Sequence, residues 1–361
     1  MKPYKFIISG GGTGGHIFPA LAIASALQNR FSDAEFLFVG ALGKMEMEKV
    51  PANGFKIKGL WIDGFQRSLS FRNLIFPLKL VISLLQAYSI LRRFKPDVAI
   101  GTGGFASGSL LMVAQWLKIP TIIQEQNSYP GVTNKILASK VNLICVAFQG
   151  LERFFPEGKI KITGNPVRRQ IQNIKIDSEK AKSLFGLDKS KKTIAILGGS
   201  LGARNINALV ATHLEFIQKL GYEVLWQCGA LYYEAYKDFS KNGVVVKAFV
   251  KEMDHFYAAA DLIISRSGAG TLAELCCVAK PIILIPSPNV AENHQYHNAM
   301  YLAGTNAALV IEEKNLAQDF EKELERLCTS PRLLKEMHEE LKCLAKPKAS
   351  VAIVNQIEAL L

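Results

Sequence analysis

Residues 9–16 read SGGGTGGH, and this glycine-rich stretch decides how the fold is interpreted. It follows the short apolar run at residues 6–8 and leads into a segment rich in apolar residues. A strand, a glycine loop and a helix in this order are typical of the first turn of a doubly wound α/β domain. Gly10, Gly12 and Gly15 match the dinucleotide pattern G-x-G-x-x-G, so a nicotinamide or flavin enzyme is the first hypothesis.

The second predicted strand, residues 35–39, tests that hypothesis. A dinucleotide site needs an acid about 20 residues beyond the glycines, at the end of this strand, to bind the ribose hydroxyls. The strand instead ends at Gly40 and Ala41, and the chain contains no Walker A sequence. The loop therefore favours another anionic ligand, and a histidine directly after such a loop is more typical of a catalytic or sugar-contacting position than of a cofactor site.

Short apolar runs alternate with helical segments along the whole chain, which predicts the α/β class. Because the pattern restarts near residue 193, we predict two doubly wound domains with parallel sheets. The predicted boundaries are 1–164, 165–340 and a C-terminal helix at 341–361 that packs back on the first domain. The predicted strands are 4–9, 35–39, 97–101, 120–124, 142–146, 160–163, 193–198, 222–227, 244–248, 262–265, 281–285 and 307–311.

Composition narrows the class of protein. The 361 residues are 49% hydrophobic and 20% charged, as in ordinary globular proteins, which argues against disorder. Residues 1–165 contain 19 Lys and Arg against 9 Asp and Glu, whereas the remainder contains 24 against 22. A basic first half predicts an anionic partner such as phosphate, nucleic acid or a membrane surface, although ordinary surface charge is the simpler alternative. The six cysteines have no metal-ligand spacing, and the N-terminus has no signal-peptide form.

Residues 74–91, LIFPLKLVISLLQAYSIL, are long and apolar enough to raise the question of a membrane span. Lys79, Ser83, Gln86 and Ser89 recur at helical spacing and form a narrow polar stripe, which a spanning helix rarely carries. We predict a helix that lies partly on a membrane surface. A buried core helix is the alternative.

Four glycine-rich loops follow predicted strands, at 10–15, 101–104, 198–202 and 265–271. Glycine lets the backbone approach a ligand closely, and a helix N-terminus supplies free N–H groups for an anion. Since open parallel sheets bind ligands at the carboxyl ends of their strands, the loops predict a ligand cleft between the domains. Tight strand-to-helix turns without a ligand are the alternative.

Residues 267–274, SGAGTLAE, carry the most specific signal. Gly270 and Thr271 stand where a helix begins, and Glu274 follows on the same side by i+3 and i+4 spacing. A carboxylate in that position can accept both hydroxyls of a ribose. The alternative is a capping box, in which Glu274 bonds back to the helix start.

Seven segments taken together resemble the MurG-type family of inverting GT-B glycosyltransferases. The resemblance covers essentially the whole chain. The segments are GGGTGGHIFPALAIA at 10–24, GTGGFASG at 101–108, QEQNSYPGVTNK at 124–135, TGNPVR at 163–168, GGSLGARNIN at 198–207, SRSGAGTLAE at 265–274 and PSPNVAENHQYHNA at 286–299. One departure is that Phe105 and Ser109 stand where the family commonly has an aromatic hydroxyl and a proline, so a tyrosine contact to the acceptor is not implied.

The resemblance implies a hexosyltransferase that acts in peptidoglycan synthesis at the cytoplasmic face of the bacterial inner membrane. It would move N-acetylglucosamine from UDP-N-acetylglucosamine to the muramoyl 4-hydroxyl of undecaprenyl-diphospho-muramoylpentapeptide (lipid I to lipid II). The two Rossmann-like domains would face each other across a cleft, with the acceptor on the first and the donor on the second. No cofactor is implied, and the chain lacks a D-x-D metal motif. No nucleic acid is implied as a partner.

The resemblance also assigns the site residues. His16 is the first candidate for the catalytic base and Glu125 the second. Acceptor-binding residues are Gly103, Gly104 and Asn134. Donor-binding residues are Thr13, Gly14, Gly15, Asn127, Arg168, Ser200, Val250, Ala269, Gly270, Thr271, Glu274 and Gln295. Among them, the backbone around Val250 would contact the uracil edge, and Gln295 would contact sugar hydroxyls. The N–H groups of the loop at 10–15 would face a diphosphate, and His16 would face the attacking hydroxyl. Membrane-contacting residues are Ile75, Lys79, Ile82, Leu85, Trp116 and Lys140.

Three other functions remain as alternatives. A GT-B transferase with a diacylglycerol or natural-product acceptor would share the fold and Glu274, but not the QEQN and TGNPVR segments. A nucleic-acid-binding protein would show basic residues interleaved with aromatics on one face, whereas this sequence shows glycine loops. A dehydrogenase would need the acid that is missing after the second strand.

Overall fold

The structure is a computed structural model that describes residues 2–64, 75–199 and 201–361. The chain divides into two compact units: Met1–Pro166 with Lys348–Leu361, and Val167–Pro347. The first boundary lies two residues beyond the predicted one. Helix α13 (Pro331–Leu344) belongs to the second unit because it packs on α10 (Ala269–Val278) and α12 (Leu316–Cys328), so the returning segment begins at Lys348 rather than at 341.

The first unit is a sheet of seven described strands, all parallel, in the order β3-β2-β1-β4-β5-β6-β7. The strands are β1 (Lys5–Gly10), β2 (Glu35–Ala41), β3 (Ile57–Leu60), β4 (Val98–Gly103), β5 (Thr121–Glu125), β6 (Leu143–Val146) and β7 (Ile160–Ile162). The described helices are α1 (Gly14–Arg30), α2 (Glu46–Ala52), α3 (Phe76–Phe94), α4 (Phe105–Trp116), α5 (Val132–Leu137) and α14 (Ala349–Glu358).

The central strands of this sheet are buried on both faces. Alternate residues enter two different cores: Ile7 joins the core that α3 and α4 cover, while Phe6 and Ile8 join the core that α1 covers. Helix α14 covers the second core as well, through buried Ile353, Val354 and Ile357. A strand with one core on each face needs apolar residues at every position, which explains the continuous runs in the sequence.

The second unit repeats the architecture with six described strands, all parallel, in the order β10-β9-β8-β11-β12-β13. The strands are β8 (Lys192–Leu197), β9 (Tyr222–Gln227), β10 (Val244–Lys247), β11 (Leu262–Ser265), β12 (Ile282–Leu284) and β13 (Leu309–Val310). The helices besides α10, α12 and α13 are α6 (Ser178–Phe185), α7 (Arg204–Lys219), α8 (Tyr233–Tyr236), α9 (Met253–Ala259) and α11 (His294–Gly304).

The predicted α/β class with two doubly wound parallel sheets is confirmed. The prediction missed β3, a four-residue edge strand whose one partner among the described strands is β2 and in which Lys58 is exposed. So short a strand at a sheet edge has no long apolar run to mark it. Among the described residues, no helix is long and apolar enough to cross a membrane.

Candidate active site

The loop after β1 holds His16 in a defined orientation. Thr13 is the extended N-cap residue of α1, and its carbonyl accepts the His16 N–H at 3.1 Å. The His16 ring Nδ1 lies 2.9 Å from the carbonyl oxygen of Gly11. Because a carbonyl can only accept, Nδ1 must carry the proton, and the lone pair of a neutral ring is then on Nε2. That is the form a general base requires.

Two glycines of the loop after β4 make room for this ring. Gly103 has φ +110°, and a Cβ added there would stand 2.9 Å from Nε2 and Cδ2 of His16. Gly104 has φ +94°, and a Cβ there would stand 2.5 Å from the Gly11 carbonyl oxygen. The structure therefore brings the predicted acceptor loop and the predicted base together in the first unit. Only residues without a side chain allow this approach.

A carboxylate that the sequence analysis missed reaches the same loop. Glu46 begins α2, is 1% exposed, and accepts the backbone N–H of Gly12 at 2.9 Å and of Ala41 at 3.0 Å. The prediction that the loop's N–H groups face a diphosphate is therefore wrong for Gly12, whose donor already has an internal anion. The signal was an acid five residues beyond the end of β2, outside the window that a dinucleotide motif would use.

Glu125, the second candidate base, is enclosed by the loop that follows β5. Its side chain is 1% exposed. One oxygen accepts the N–H of Asn127 at 3.0 Å, and the other accepts the N–H of Gly131 at 3.1 Å and the side-chain amide of Asn134 at 2.8 Å. A carboxylate used in this way braces a loop, so this geometry favours His16 as the base.

The two amide side chains beside Glu125 keep different predicted roles. Asn127 follows β5 and also donates its side-chain amide to Glu125 at 3.3 Å. Asn134 is 3% exposed, and its Oδ1 has no hydrogen-bond partner among the residues that the structure describes. A donor contact by Asn127 and an acceptor contact by Asn134 stay predictions.

In the second unit, Glu274 lies in α10 with its carboxylate clamped from two sides. Arg168 donates Nε to one oxygen at 2.5 Å and Nη2 to the other at 2.6 Å, and the Tyr257 hydroxyl donates to the second oxygen at 3.2 Å. Burial raises the pKa of Tyr257 well above its usual range, and the nearby carboxylate adds to the shift. The hydrogen bond to Glu274 raises the pKa of Arg168. The structure shows this clamp in place of a capping box.

The helix start next to Glu274 is open. Gly268 is the extended N-cap residue of α10, with no side-chain cap, and Ala269, Gly270 and Thr271 form the first turn. A Cβ on Gly270 would meet no atom within 4 Å, so a ligand has room to approach the backbone. Ser200, the remaining predicted contact of the second unit's glycine loop, lies outside the described residues.

Gln295 stands in the first turn of α11 with its amide orientation set. Its Oε1 accepts the N–H of Ser287 at 2.9 Å, and its backbone carbonyl accepts the Ser267 hydroxyl at 2.7 Å. The side-chain NH₂ is then the group that can donate to a ligand, as the predicted sugar contact requires.

The backbone at Val250, the predicted uracil contact, already has its N–H engaged. The Val250 N–H donates to Oε1 of Gln227 at 2.9 Å, and Nε2 of Gln227 donates to the Gly199 carbonyl at 3.3 Å. Since Val250 is buried and its N–H is engaged, only its carbonyl remains for a nucleobase. The exposed aromatic ring beside it is Phe249, which is 55% exposed.

A cavity of about 570 Å³ opens at the carboxyl end of β8. It is lined by the glycine loop, by Arg204 at the start of α7, and by Gln295. Arg266 also lines it, bonded to the Ile285 carbonyl at 3.0 Å and paired with Glu313. Glycine N–H groups, a helix start and arginines suit an anionic ligand. Neither Arg204 nor Arg266 is among the predicted site residues, although they lie in the motifs GGSLGARNIN and SRSGAGTLAE.

Helix α3 carries an apolar outer face, while much of its polar stripe faces the protein. Ser83 is buried and hydrogen-bonds to Ser109 at 2.8 Å. Lys79, predicted to ring a membrane patch, instead pairs with Asp63 at 2.6 Å and lies over the ring of Trp61. This ion pair engages the ammonium with a partly exposed carboxylate, and a membrane contact by Lys79 stays a prediction.

The exposed apolar residues near this helix form what we call the apolar face. Ile82 is half-buried, so it offers less apolar surface to a membrane than predicted. Lys140 is exposed, as its predicted membrane contact requires. The apolar face consists of Ile75, Leu78, Val81, Leu85 and Tyr88 on and beside α3, Trp116 at the end of α4, and Val132 and Ile136 on α5.

Comparisons with known proteins agree with this arrangement. Residues 6–146 match the Glycosyltransferase family 28 N-terminal domain, and residues 193–353 match the Glycosyltransferase family 28 C-terminal domain. A protein of Flavobacterium psychrophilum is 51% identical over 99% of this chain and 98% of its own length. Its name is UDP-N-acetylglucosamine--N-acetylmuramyl-(pentapeptide) pyrophosphoryl-undecaprenol N-acetylglucosamine transferase. The chain belongs to glycosyltransferase family 28, among the MurG-type transferases.

Other family 28 relatives point the same way. A Christiangramia forsetii protein with the same name is 50% identical over 99% of this chain and 98% of its own length. The crystal structure of Acinetobacter baumannii MurG superposes with a TM-score of 0.83 at 27% identity, covering 99% of this chain and 100% of that one. The calicheamicin glycosyltransferase CalG4 superposes with a TM-score of 0.74 at 14% identity over 100% and 99% of the two chains, which shows a shared fold alone. The family predicted from the seven motifs is confirmed.

Proposed function

We propose that this family 28 enzyme transfers N-acetylglucosamine from UDP-N-acetylglucosamine to the muramoyl 4-hydroxyl of undecaprenyl-diphospho-muramoylpentapeptide, with inversion at the anomeric carbon. The product is lipid II, a precursor of peptidoglycan. The observation that carries this proposal is the carboxylate of Glu274, which is held rigidly beside the open first turn of α10. A fixed carboxylate next to a helix N-terminus suits a ribose followed by a diphosphate.

The donor would lie along the second unit. Glu274 accepts the ribose hydroxyls while Tyr257 and Arg168 keep its carboxylate in place. A guanidinium has five N–H donors, so Arg168 can hold Glu274 and still offer its remaining donors to a phosphate oxygen. Arg204 and the glycine loop in the cavity stabilise the charge that develops on the leaving diphosphate, which is the binding that lowers the barrier.

His16 would remove the proton of the attacking hydroxyl. Its Nε2 carries the free electron pair because Nδ1 donates to the Gly11 carbonyl. The 4-hydroxyl oxygen bonds to the anomeric carbon, its proton passes to Nε2, and UDP leaves with the electron pair of the broken bond. A general base in this role supplies about 10²–10⁴-fold of the rate.

The lipid-linked acceptor gives the apolar face a purpose. We propose that the enzyme binds peripherally to the cytoplasmic face of the bacterial plasma membrane through Leu78, Val81 and Leu85, which are 54–65% exposed. Exposed Arg92, Arg93 and Lys140 add the basic charge that anionic lipid headgroups attract. The polar interior side of α3 anchors the helix to the protein rather than to the bilayer.

The test is a transfer assay with the full-length chain, UDP-N-acetylglucosamine and lipid-diphosphate-linked muramoyl pentapeptide, run with and without a chelator. We expect release of UDP together with a disaccharide-linked lipid, and no product from an acceptor analogue that lacks the 4-hydroxyl. A chain that is inactive with this acceptor but glycosylates diacylglycerol would be another GT-B transferase. Loss of activity with the chelator, restored by a divalent cation, would contradict a reaction carried by protein groups alone.

A further inference from the structure

Glu46, like Glu125, is a deeply buried acidic side chain that the proposed reaction leaves unused. It is 1% exposed, and each carboxylate oxygen accepts one backbone N–H: Oε1 from Ala41 at 3.0 Å and Oε2 from Gly12 at 2.9 Å. Burying a carboxylate costs free energy that these two hydrogen bonds offset, and its position beside the first glycine loop suggests a role there.

The Gly12 N–H that Glu46 accepts belongs to the same peptide unit as the Gly11 carbonyl. That carbonyl accepts Nδ1 of His16 at 2.9 Å. In a trans peptide the N–H and the C=O point to opposite sides of one rigid plane. Glu46 and His16 are therefore connected through the two ends of a single amide group. Hydrogen bonds in such a chain polarise and strengthen one another.

The chain leaves space for this carboxylate at two glycines. A Cβ on Gly11 would stand 2.2 Å from Oε1 of Glu46, and a Cβ on Gly40 would stand 2.5 Å from its Cγ. Gly11 has no positive φ, so its lack of a side chain serves close approach and not backbone freedom. The space where a Gly11 side chain would stand is therefore taken by Glu46 and not by a ligand.

We propose that Glu46 is a positioning residue for the transfer reaction, acting on His16 through the Gly11–Gly12 peptide. By fixing the plane of that peptide, Glu46 aims the Gly11 carbonyl at Nδ1 and holds the ring proton there. The free pair then stays on Nε2, ready for the hydroxyl proton. After the transfer, the imidazolium keeps its Nδ1–H bond to Gly11, and no proton moves to Glu46. The inference rests on the proposed role of His16 as base.

The test compares Glu46→Gln with Glu48→Gln. Glutamine has nearly the same shape, but its NH₂ faces one of the two N–H groups that the carboxylate accepts, so one bond is lost and the peptide is free to turn. Glu48 is the matched control because it lies in the same helix with a side chain 78% exposed. Three quantities are measured: kcat with the KM for UDP-N-acetylglucosamine, the ¹⁵N shifts of the His16 ring in [¹⁵N]histidine-labelled protein, and Tm.

For Glu46→Gln we expect kcat to fall about 10–100-fold, which is part of the 10²–10⁴-fold contributed by a general base. The donor KM should stay within about twofold, since the proposed ribose and diphosphate contacts are in the second unit. The His16 ring signals, assigned by their loss in His16→Ala, should move from the Nδ1–H form toward a mixture of tautomers. Glu48→Gln should resemble the wild type in all three measurements.

A folded Glu46→Gln protein with wild-type kcat and an unchanged His16 spectrum would overturn the inference, and so would a lower Tm as its only effect. If Glu46→Gln does not fold, Glu46→Asp takes its place: the shorter side chain keeps the charge but not the reach to the Gly12 N–H, so kcat should fall and the His16 ring signals should move toward a mixture of tautomers relative to the wild type. A wild-type kcat and spectrum in folded Glu46→Asp would overturn the inference. A wild-type kcat in His16→Ala would refute the base instead, and the ring spectrum of Glu46→Gln would still decide whether Glu46 sets the tautomer.

Discussion

The two units share one strand order but use their first glycine loops in opposite ways. In the first unit, the side chain that enters the loop after β1 is the carboxylate of Glu46, which accepts the Gly12 N–H. In the second unit, the side chain that enters the loop after β8 is the neutral amide of Gln227, which donates to the Gly199 carbonyl. The first loop thus contains an internal anion, whereas the second borders a cavity lined by Arg204 and by Arg266, which is paired with Glu313.

This difference teaches that a glycine loop is not in itself a phosphate site. Its N–H groups bind an external anion only where the protein has not supplied one of its own. In the first unit the glycines bring Glu46, Gly11 and His16 together, where we propose the proton transfer. In the second unit they border a cavity, where we propose the diphosphate. Under this proposal the same fold supports a base in one unit and a leaving-group site in the other.

The largest effect should come from His16→Ala, which removes the proposed base from the first loop. We expect kcat to fall by about 10²–10⁴-fold while the KM for UDP-N-acetylglucosamine changes less than about threefold. His213→Ala is the control, because His213 is a histidine of α7 in the second unit that pairs with Glu321. Steady-state kinetics with both substrates make the measurement. A wild-type kcat would remove the distinction between the two loops.

The second largest effect concerns the lipid-facing role that we assign to the first unit alone. Replacing Leu78, Val81 and Leu85 by Ser should lower partitioning onto anionic vesicles about a hundredfold. Each half-inserted apolar side chain contributes roughly 1 kcal/mol of binding free energy, which the serine loses. Transfer to a soluble acceptor analogue should be unchanged. Leu184→Ser with Val351→Ser is the control, since both side chains are more than half exposed elsewhere. Unchanged vesicle binding by the triple variant would mean that the apolar face has another partner.

The third prediction concerns the donor site of the second unit. Glu274→Ala removes the acceptor for the ribose hydroxyls and should raise the KM for UDP-N-acetylglucosamine about thirtyfold, as expected for hydrogen bonds to a charged group. Acceptor KM should change little. Isothermal titration with UDP measures the loss directly, with Glu321→Ala as the control carboxylate. If UDP binds Glu274→Ala as tightly as the wild type, the clamp of Arg168 and Tyr257 on Glu274 is purely structural.

Most of the fold could be predicted from the sequence because buried parallel strands leave continuous apolar runs. Helix α1 shows where that signal weakens: its first buried apolar residue is Ile17, but the helix already begins at Gly14. Its first turn contains Gly14, Gly15 and His16, which have low helix propensity, and Pro19 lies inside the helix. The start is set instead by Thr13 as N-cap and by packing against the β4 loop.

The site was predictable where its residues lie in one motif and not where they meet across the fold. Gly270, Thr271 and Glu274 share one helix turn, so their spacing alone placed them together. Arg168 and Glu274 are 106 positions apart, and the clamp between them needed the structure. Glu46 was not predicted for a similar reason, because it is distant from Gly12 in sequence and only the turn after β2 brings the two residues together.

The smallest effect should come from placing a carboxylate at the second loop, as Glu46 already does at the first. Gln227→Glu keeps the acceptor for the Val250 N–H, removes the donor to Gly199, and places a negative charge beside the cavity. At an effective dielectric of about 20, repulsion of the donor diphosphate should raise the KM for UDP-N-acetylglucosamine on the order of tenfold, with kcat nearly kept.

The control is Gln218→Glu, the same change near the end of α7. Because the effect is electrostatic, it should shrink as salt is raised. A salt-independent rise would assign it to the lost Gly199 bond, and no rise at all would mean that the charge of the entering side chain does not distinguish the two loops.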